Sequence, residues 1–405
     1  MKVLAISQVY YPDTASTAQH LTDLLEKLVE NGHEVTVITS SRKYENPKEK
    51  FSKREVVNGV NVVRITNTGF GKKNKISRLI DFISFNLLIS VKLLFLKKER
   101  FDSIIGMTSP PLLSYVGILF AKLKKMKFIY WTMDLQPELS VVAGYLKTDS
   151  YAARSLQRKG DFIFSKSDKI IALDVYMKEH IEKRLNKKLL NVDIIPVWPV
   201  MQDIYEGNRE DNSFRIQNEF GNKIVIMYSG NHSVMHPLDV LLESAYLLRN
   251  DDRFLFVHIG GGDRLKNVID FKIKNNLDNI ITLPYQPREF IHISLGSSDI
   301  QVVSLGQECV GYTHPNKIYG SMYIGKPILY IGPNKSHITD ILKDCPGNIC
   351  VDHDDKEKLH EALLKFAQLS EEEKELIGKN NRLYASKYFS PEFLKKQMVD
   401  SVQSV

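Results

Sequence analysis

The chain has 405 residues, 43% of them apolar and 25% charged, a composition that excludes a disordered or fibrous protein. Its length predicts two domains of ordinary size. Residues 1–199 carry 32 Lys and Arg against 20 Asp and Glu, whereas residues 200–405 carry 23 against 28. The basic first half is typical either of a domain that meets an anionic surface or of an ordinary lysine-rich exterior.

The predicted elements alternate between strand and helix from the N-terminus. A strand at 3–7, a helix at 17–31 and a buried strand at 34–39 form a β-α-β unit of the length that a parallel sheet requires. The alternation continues with strands at 60–65, 103–107, 128–132, 169–173 and 193–196, and with helices at 76–98, 112–125 and from residue 175.

A domain boundary is predicted near residue 200, where Pro196 and Pro199 precede the polar stretch 202–222. The pattern then restarts, with strands at 223–229, 254–259, 280–283, 300–303 and 327–331, helices at 238–249 and from 317, and a helical tail at 356–405. The sequence therefore predicts an α/β protein with two doubly wound domains, 1–200 and 201–385, and a terminal helix, 386–405, that packs back toward the first domain.

The cysteines and the apolar runs indicate the cellular compartment of the protein. Cys309, Cys345 and Cys350 lack the spacing of a metal site or a disulfide framework, so free thiols in a reducing compartment are expected. The opening apolar run is too short for a signal peptide, and no apolar stretch reaches the ~18 residues of a spanning helix. These features predict a cytoplasmic protein.

Two glycine-containing turns follow strands of the second half. Residues 228–233 read YSGNHS, and Gly230 there would let backbone amides and the next helix start approach a phosphate. Gly260, Gly261 and Gly262 precede Arg264 and would suit close approach to a flat or anionic ligand. An ordinary turn and a hairpin-like loop are the alternatives, and the lack of a GxGxxG pattern argues against a nicotinamide site.

Two further segments carry candidate catalytic groups. Asn316 is a suitable cap for a helix that begins at Lys317, where a cation opposes the helix dipole unless an anion is bound nearby. Asp134 and Glu138 follow a predicted strand beside Trp131 and could hold sugar hydroxyls. An ordinary surface lysine and a turn-forming aspartate are the alternatives.

In order along the chain, these segments resemble the motifs of glycosyltransferase family 4, and within it those of bacterial enzymes for envelope polysaccharides of the colanic acid and O-antigen kind. Residues 7–13 with 17–20 resemble the acceptor loop, and 134–138 the aspartate-proline turn. Residues 228–232 with 236–239 resemble the phosphate loop, and 315–320 with 325–327 the donor-sugar helix. The resemblance covers nearly the whole chain and implies the GT-B fold, in which two Rossmann-like domains face each other across a cleft.

The resemblance also implies residue roles. Donor and phosphate binding would fall to Gly230, Asn231, His232, His236, Gly261, Gly262, Arg264, Pro315 and Asn316. Acceptor binding would fall to Tyr11, Asp13, Thr17, Gln19 and Glu138. The candidate catalytic residues are Asp134, Lys317 and Glu308.

Two departures from the family pattern concern charge. The family's glutamates, eight residues apart, are replaced by Tyr312 and Gly320, and Glu308 nearby would do part of their work. His232 and His236 stand in place of the arginine and lysine that usually follow the phosphate-loop glycine. Lys317, Arg264 and backbone amides are therefore expected to neutralise the diphosphate.

The predicted reaction moves a sugar from a nucleoside diphosphate donor to a lipid-linked or other envelope glycan precursor. UDP is the favoured nucleotide, and an N-acetylated amino sugar is one candidate for the transferred group. The resemblance implies retention of the anomeric configuration, with no metal and no cofactor. A nucleotide-sugar epimerase of the same architecture is the alternative, and a nucleic-acid partner is not expected, because no recognition pattern for one occurs.

The predicted helix at 76–98 is dense in apolar residues. It is flanked by Lys72, Lys73, Lys75, Lys97 and Lys98, and Lys122, Lys124, Lys125 and Lys127 follow. A basic, amphipathic face of this kind could lie on an anionic bilayer, so a peripheral contact with the inner face of the plasma membrane is expected. A core helix is the alternative.

Overall fold

The structure is a computed structural model that describes residues 1–13, 15–43, 46–71, 75–96, 101–201 and 203–405. The chain divides into two compact units. The first comprises Met1–Pro196, Gly311–His314 and Glu392–Val405, and the second comprises Val197–Val310 and Pro315–Pro391. The expected α/β class, with a largely parallel sheet in each unit, is confirmed.

The first unit is built on one sheet. Its strands are β1 (Lys2–Ile6), β2 (Glu34–Ser40), β3 (Arg54–Val57), β4 (Val60–Ile65), β5 (Ser103–Met107), β6 (Lys127–Trp131), β7 (Lys169–Ala172) and β8 (Val192–Ile194). Among the described residues the strand order is β3-β4-β2-β1-β5-β6-β7-β8, and every pair is parallel except β3 with β4. The order reverses between β1 and β5, so the carboxyl ends of these strands mark a ligand crevice.

The helices of the first unit follow its strands in sequence. They are α1 (Ser16–Glu30), α2 (Lys75–Leu94), α3 (Leu113–Lys124), α4 (Glu138–Val142), α5 (Tyr151–Lys166) and α6 (Val175–Leu185). None of the helices in the described parts of the chain is long and apolar enough to cross a membrane. The lysines predicted to flank a membrane-facing helix at 72, 73, 97 and 98 lie outside the described residues, as does the side chain of Lys75.

The second unit repeats the design with a parallel sheet. Its strands are β9 (Ile224–Asn231), β10 (Phe254–Gly261), β11 (Ile280–Leu283), β12 (Ile300–Ser304), β13 (Ile328–Ile331) and β14 (Ile349–Val351). Their order is β11-β10-β9-β12-β13-β14. Along β9, Ile226 and Tyr228 pack into one hydrophobic cluster and Val225 and Met227 into another, so both faces of the sheet are covered. Burial on both faces explains why β9 reads as a continuous apolar run.

The remaining helices complete the chain. They are α7 (Ser213–Gln217), α8 (Asp239–Leu247), α9 (Leu265–Asn275), α10 (Ile291–Gly296), α11 (Lys317–Tyr323), α12 (His337–Leu342), α13 (Lys356–Phe366), α14 (Glu371–Tyr388) and α15 (Pro391–Gln403). From Glu392 onward α15 belongs to the first unit, where Ser401 donates a 2.7 Å hydrogen bond to Asp193 and Lys395 pairs with Asp23 at 3.1 Å.

Candidate functional site

The second unit has its strand-order reversal between β9 and β12. Strands β10 and β11 lie on one side of β9, and β13 and β14 lie beyond β12. The carboxyl ends of β9 and β12 are therefore the expected ligand crevice of this sheet. The predicted phosphate loop lies there, although residues 228–231 of it form the end of β9 and His232 is the first residue after the strand.

Three glycines bring the backbones at this sheet edge close together. Gly230, Gly260 and Gly262 have φ values of 142°, 127° and 115°, which disfavour any side chain. Gly260 lies opposite Gly230 in the β9–β10 ladder. A Cβ at Gly260 would overlap the carbonyl of Gly230, and one at Gly262 would overlap the carbonyl of His232. Glycine is thus required here for close backbone approach.

Lys317 begins α11 and contributes a buried cation to the same place. Its Nζ lies 3.7 Å from the ring centroid of Tyr228, and a Cβ on Gly230 would lie 3.2 Å from it. This Nζ is buried and has no hydrogen-bond partner among the described residues. Burial lowers the pKa of Lys317 to about 7. An ammonium held in this way is costly, and a bound anion would supply the charge that it lacks.

His232 fixes the loop through its own backbone and ring. Its backbone N–H donates to the carbonyl of Gly261 at 2.7 Å, and its Nδ1 lies 3.2 Å from the same oxygen. Its Nε2 lies 3.3 Å from Nδ1 of His258. A carbonyl oxygen can only accept, so Nδ1 of His232 carries the hydrogen and Nε2 accepts from His258.

The three histidines at this edge are neutral near neutral pH. Burial lowers the pKa of His232 to about 4, and the charge of Lys317 lowers it further against the opposing hydrogen bond to Gly261. Burial and then Lys317 lower the pKa of His236 to about 3, and burial lowers that of His258 to about 3. Neither His232 nor His236 therefore carries the positive charge that an arginine or lysine would bring.

The other predicted donor residues lie around this edge. Asn231 is exposed, and its carbonyl accepts a 2.7 Å hydrogen bond from the hydroxyl of Tyr228. Arg264 is exposed and precedes α9, and Gly261 is the last residue of β10. Glu308 is exposed in the short 3-10 turn Gln307–Cys309.

The predicted capping role of Asn316 is wrong. The residue has helical angles, φ −55° and ψ −22°, and its side chain makes no capping hydrogen bond to α11. A capping side chain needs an extended backbone, which this residue does not have. Pro315, before it, is buried and accepts a 3.2 Å hydrogen bond from the N–H of Ile318.

Asp134 follows β6 in the first unit and accepts a hydrogen bond from the hydroxyl of Thr313 at 2.7 Å. Thr313 lies in Gly311–His314, a segment that sequence places in the second domain but that belongs to the first compact unit. Desolvation raises the pKa of Asp134, although Thr313 and His314 oppose the rise. The side chain of Asp134 is exposed, so this carboxylate is open to hydrogen bonding with a sugar hydroxyl.

Glu138 begins α4 and is held by two neighbours. Arg184 approaches both of its carboxylate oxygens, at 2.9 and 3.2 Å, and Nε2 of His180 lies 3.0 Å from one of them. Desolvation alone would raise the pKa of Glu138, but these contacts outweigh it and lower the pKa. Arg184 also pairs with Asp161 at 2.6 Å. Few lone pairs of Glu138 remain for an acceptor.

The other predicted acceptor residues lie beyond β1, at the reversal point of the first sheet. Tyr11 is 47% exposed, and its carbonyl accepts a 2.7 Å hydrogen bond from Arg64. Asp13 is buried, and Thr17 and Gln19 are half-buried in the first turns of α1. The structure thus brings this group together at one sheet edge.

Two family models match consecutive parts of the chain. Glycosyltransferase Family 4 matches residues 17–197, and Glycosyl transferases group 1 matches residues 209–383. Both models describe glycosyltransferases, and together they match most of the chain, which is therefore a glycosyltransferase. The chain belongs to glycosyltransferase family 4.

Two relatives are named as glycosyltransferases, and solved structures share the fold. The probable glycosyltransferase WbjE of Pseudomonas aeruginosa is 27% identical over 288 residues, which are 69% of this chain and 71% of that protein. The putative colanic acid biosynthesis glycosyl transferase WcaI of Escherichia coli K12 is 23% identical over the full length of both chains. The structure of sucrose-phosphate synthase from Thermosynechococcus elongatus has a TM-score of 0.76 at 14% identity, covering 100% of this chain and 98% of that one. Anabaena HepE in complex with UDP-glucose has a TM-score of 0.72 at 12% identity and full coverage of both chains. These likenesses confirm the GT-B fold.

Proposed function

We propose that this glycosyltransferase moves a sugar from a UDP-linked donor to a lipid-linked or other precursor of an envelope polysaccharide. The observation that carries the proposal is the buried ammonium of Lys317 beside Gly230, at the strand-order reversal of the second unit. A diphosphate placed there would give this cation the anionic partner that it lacks. HepE was solved with UDP-glucose, and the name of WcaI refers to colanic acid biosynthesis, which supports the donor and acceptor classes.

Lys317 would act mainly on the leaving group. As the bond between the sugar and the β-phosphate breaks, negative charge grows on the phosphate, and a nearby ammonium stabilises that change. This single cation supplies the charge that a metal ion provides in other enzymes, so we propose a metal-independent reaction. Retention of the anomeric configuration, and a hexose or N-acetylhexosamine as the transferred group, remain proposals from the family resemblance.

Asp134 would act on the acceptor. Its exposed side chain and its position after β6 suit a carboxylate that accepts a hydrogen bond from the attacking hydroxyl. Glu308, exposed in its turn, would orient the donor sugar. The two relatives are named as glycosyltransferases, which favours transfer over the epimerase alternative.

Nucleotide binding is tested by thermal shift with UDP, GDP, UDP-glucose, UDP-N-acetylglucosamine and inorganic pyrophosphate. A ligand that binds only the folded protein raises Tm by mass action. We expect UDP and its sugars to raise Tm in the wild type and to lose this effect in Lys317→Ala. Lys379→Ala, at an exposed lysine of α14, is the matched control. Shifts that are absent with every nucleotide, or unchanged in Lys317→Ala, would contradict the proposed donor site.

We further propose that the first unit lies peripherally on the anionic inner face of the plasma membrane. One face of α2 packs inward through Phe85, Ile89 and Leu93, each 0% exposed. Phe82 is half-buried. Nine other apolar side chains of this helix and of its end are between 40% and 84% exposed: Ile76, Leu79, Ile80, Ile83, Leu87, Leu88, Val91, Leu94 and Phe95. Soluble proteins rarely expose so continuous an apolar face.

Charge next to this face favours a bilayer as its partner. Leu119 and Leu123 of α3 are exposed, and so are the neighbouring Lys122 and Lys125. Basic side chains around an apolar helix face attract anionic headgroups, while the apolar face enters the acyl boundary. An acceptor carried on a lipid would then be presented where the first unit lies.

A further inference from the structure

The side chain of His236 bridges the two strand ends of the second unit's reversal point. It lies in the loop between β9 and α8, and its Nδ1 is 2.7 Å from the carbonyl oxygen of Ser304, the last residue of β12. Strands β9 and β12 are neighbours in the sheet. His236 is half-buried, and its Nε2 is not one of the fully buried, unpartnered side-chain atoms of the described residues.

The hydrogen bond to Ser304 decides which ring nitrogen carries the hydrogen. Since a carbonyl oxygen only accepts, Nδ1 must be the donor. Burial and the charge of Lys317 keep the pKa of His236 near 3, so the ring is neutral. A neutral ring with its hydrogen on Nδ1 offers a lone pair at Nε2. No described residue forms a hydrogen bond with that Nε2.

This lone pair does not suit a phosphate. Phosphate oxygens are hydrogen-bond acceptors near neutral pH, and two facing acceptors repel each other. A hydroxyl group, in contrast, can donate to Nε2. A nucleotide sugar has hydroxyls on both sides of its diphosphate, on the ribose and on the transferred sugar. Lys317 can bind the diphosphate, so His236 can accept a hydrogen bond from a hydroxyl next to it.

We propose that His236 selects the donor through a hydroxyl group that donates a hydrogen bond to Nε2, and that it does not bind the phosphates. The proposal rests on the nucleotide-sugar role of the second unit. It also replaces the phosphate role that the sequence implies for this residue. His236 becomes a specificity-determining residue for the ribose or for the transferred sugar.

The test compares dissociation constants of UDP, 2′,3′-dideoxy-UDP and UDP-glucose by calorimetry. Two ratios are read: dideoxy-UDP over UDP for the ribose hydroxyls, and UDP over UDP-glucose for the sugar hydroxyls. A ratio is unaffected by the fraction of protein that is active, so a partly misfolded variant stays informative. In His236→Asn an amide nitrogen can still donate to Ser304, but the acceptor at Nε2 is lost. In His236→Gln an amide oxygen can reach the position of Nε2.

We expect His236→Asn to lower one of the two ratios by about tenfold, as for the loss of one hydrogen bond, and His236→Gln to keep it near the wild-type value. The ratio that changes identifies the ribose or the sugar as the source of the hydroxyl. Two unchanged ratios in His236→Asn would overturn the proposal, and equal weakening of all three ligands would show a phosphate contact instead. If the wild type binds none of the three ligands, the nucleotide-binding role of the second unit is refuted. This result differs from the unchanged ratios that would refute the role of His236 alone.

Discussion

At the scale of single residues, Lys317 is a side chain whose burial lowers stability and whose position suits ligand binding. Its Nζ is buried above the ring of Tyr228 without a carboxylate or other hydrogen-bond partner among the described residues. The ring face offsets only part of the lost hydration of an ammonium. A chain selected for stability alone would place an apolar side chain here, so the lysine is best explained by a ligand that it binds.

We expect Lys317→Met to raise Tm of the free protein by several degrees, because a gain of ~1 kcal/mol in the free energy of unfolding raises Tm by about 2–4 °C for a domain of this size. The same substitution should abolish the nucleotide-induced shift in Tm. The folded pKa, about 7, is lower than the 10.5 of an unfolded lysine. The unfolded state therefore binds more protons between these values, and wild-type stability rises with pH across that window. The gain in Tm should be largest at pH 7 or below and should shrink toward pH 10. Calorimetric melting at pH 6, 7, 8 and 9 checks this, and a variant less stable than the wild type at pH 7 would refute the account of a desolvated cation.

Other residues show which site features a sequence could not reveal. The hydrogen bond between Thr313 and Asp134 joins positions 179 residues apart, and the ion pair of Glu138 with Arg184 joins positions 46 apart. Such partners leave no local pattern. The sequence therefore named Asp134 and Glu138 as sugar-binding candidates without showing that Glu138 is already paired. His258 was missed for the same reason, because a histidine inside an apolar strand gives no local sign of a role.

At the scale of elements, the sequence predicted the strands well. Every predicted strand begins and ends within two residues of an observed one, because buried parallel strands are short, continuous apolar runs between polar turns. Strands β3 and β14 were missed. The sequence of β3, REVV, is mostly exposed at the sheet edge, and β14 has only three residues. Helix α5 was also missed, because few of its residues are buried and Gly160 interrupts the apolar pattern.

Helix α2 has one buried face and one exposed apolar face. Its inner face packs against the first unit as a core helix would, and its outer face remains apolar and exposed. This double character explains why hydrophobic periodicity could not decide between a core helix and a membrane-facing one. The exposure of each side chain in the structure is needed to show that a second apolar face of α2 is left uncovered by the described residues.

We expect the protein to float with vesicles of phosphatidylcholine and phosphatidylglycerol at low salt, and much less with phosphatidylcholine alone or at high salt. The double variant Ile83→Asp/Leu87→Asp should reduce binding at least tenfold, since each substitution removes apolar area from the contact. The matched control is Leu376→Asp/Leu383→Asp on α14, where both leucines are similarly exposed, at 57% and 60%. Equal flotation of both double variants, or none of the wild type, would remove the membrane proposal.

At the scale of the whole molecule, two units of similar architecture differ in what their sheet edges offer. The edge of the second unit has close-packed glycines and a cation, which suit a diphosphate. The edge of the first unit has Asp13, Asp134 and exposed Tyr11, which suit the hydroxyls and ring of a sugar. The fold class was predictable from the order of motifs, and the division of roles between the units stays a prediction. The discontinuous first unit was not, because Gly311–His314 has no composition that sets it apart.

The measurement that tests the central claim most directly is sugar transfer by the purified protein. UDP-sugars labelled in the sugar would be supplied with lipid-linked glycans extracted from bacterial membranes, and both free UDP and labelled lipid would be quantified. We predict equimolar UDP release and labelling of the lipid fraction, reduced at least 100-fold by Lys317→Ala, as for the removal of a group that stabilises charge in the transition state. An isomerised nucleotide sugar formed without acceptor or UDP release, or a near-normal rate in Lys317→Ala, would contradict the account.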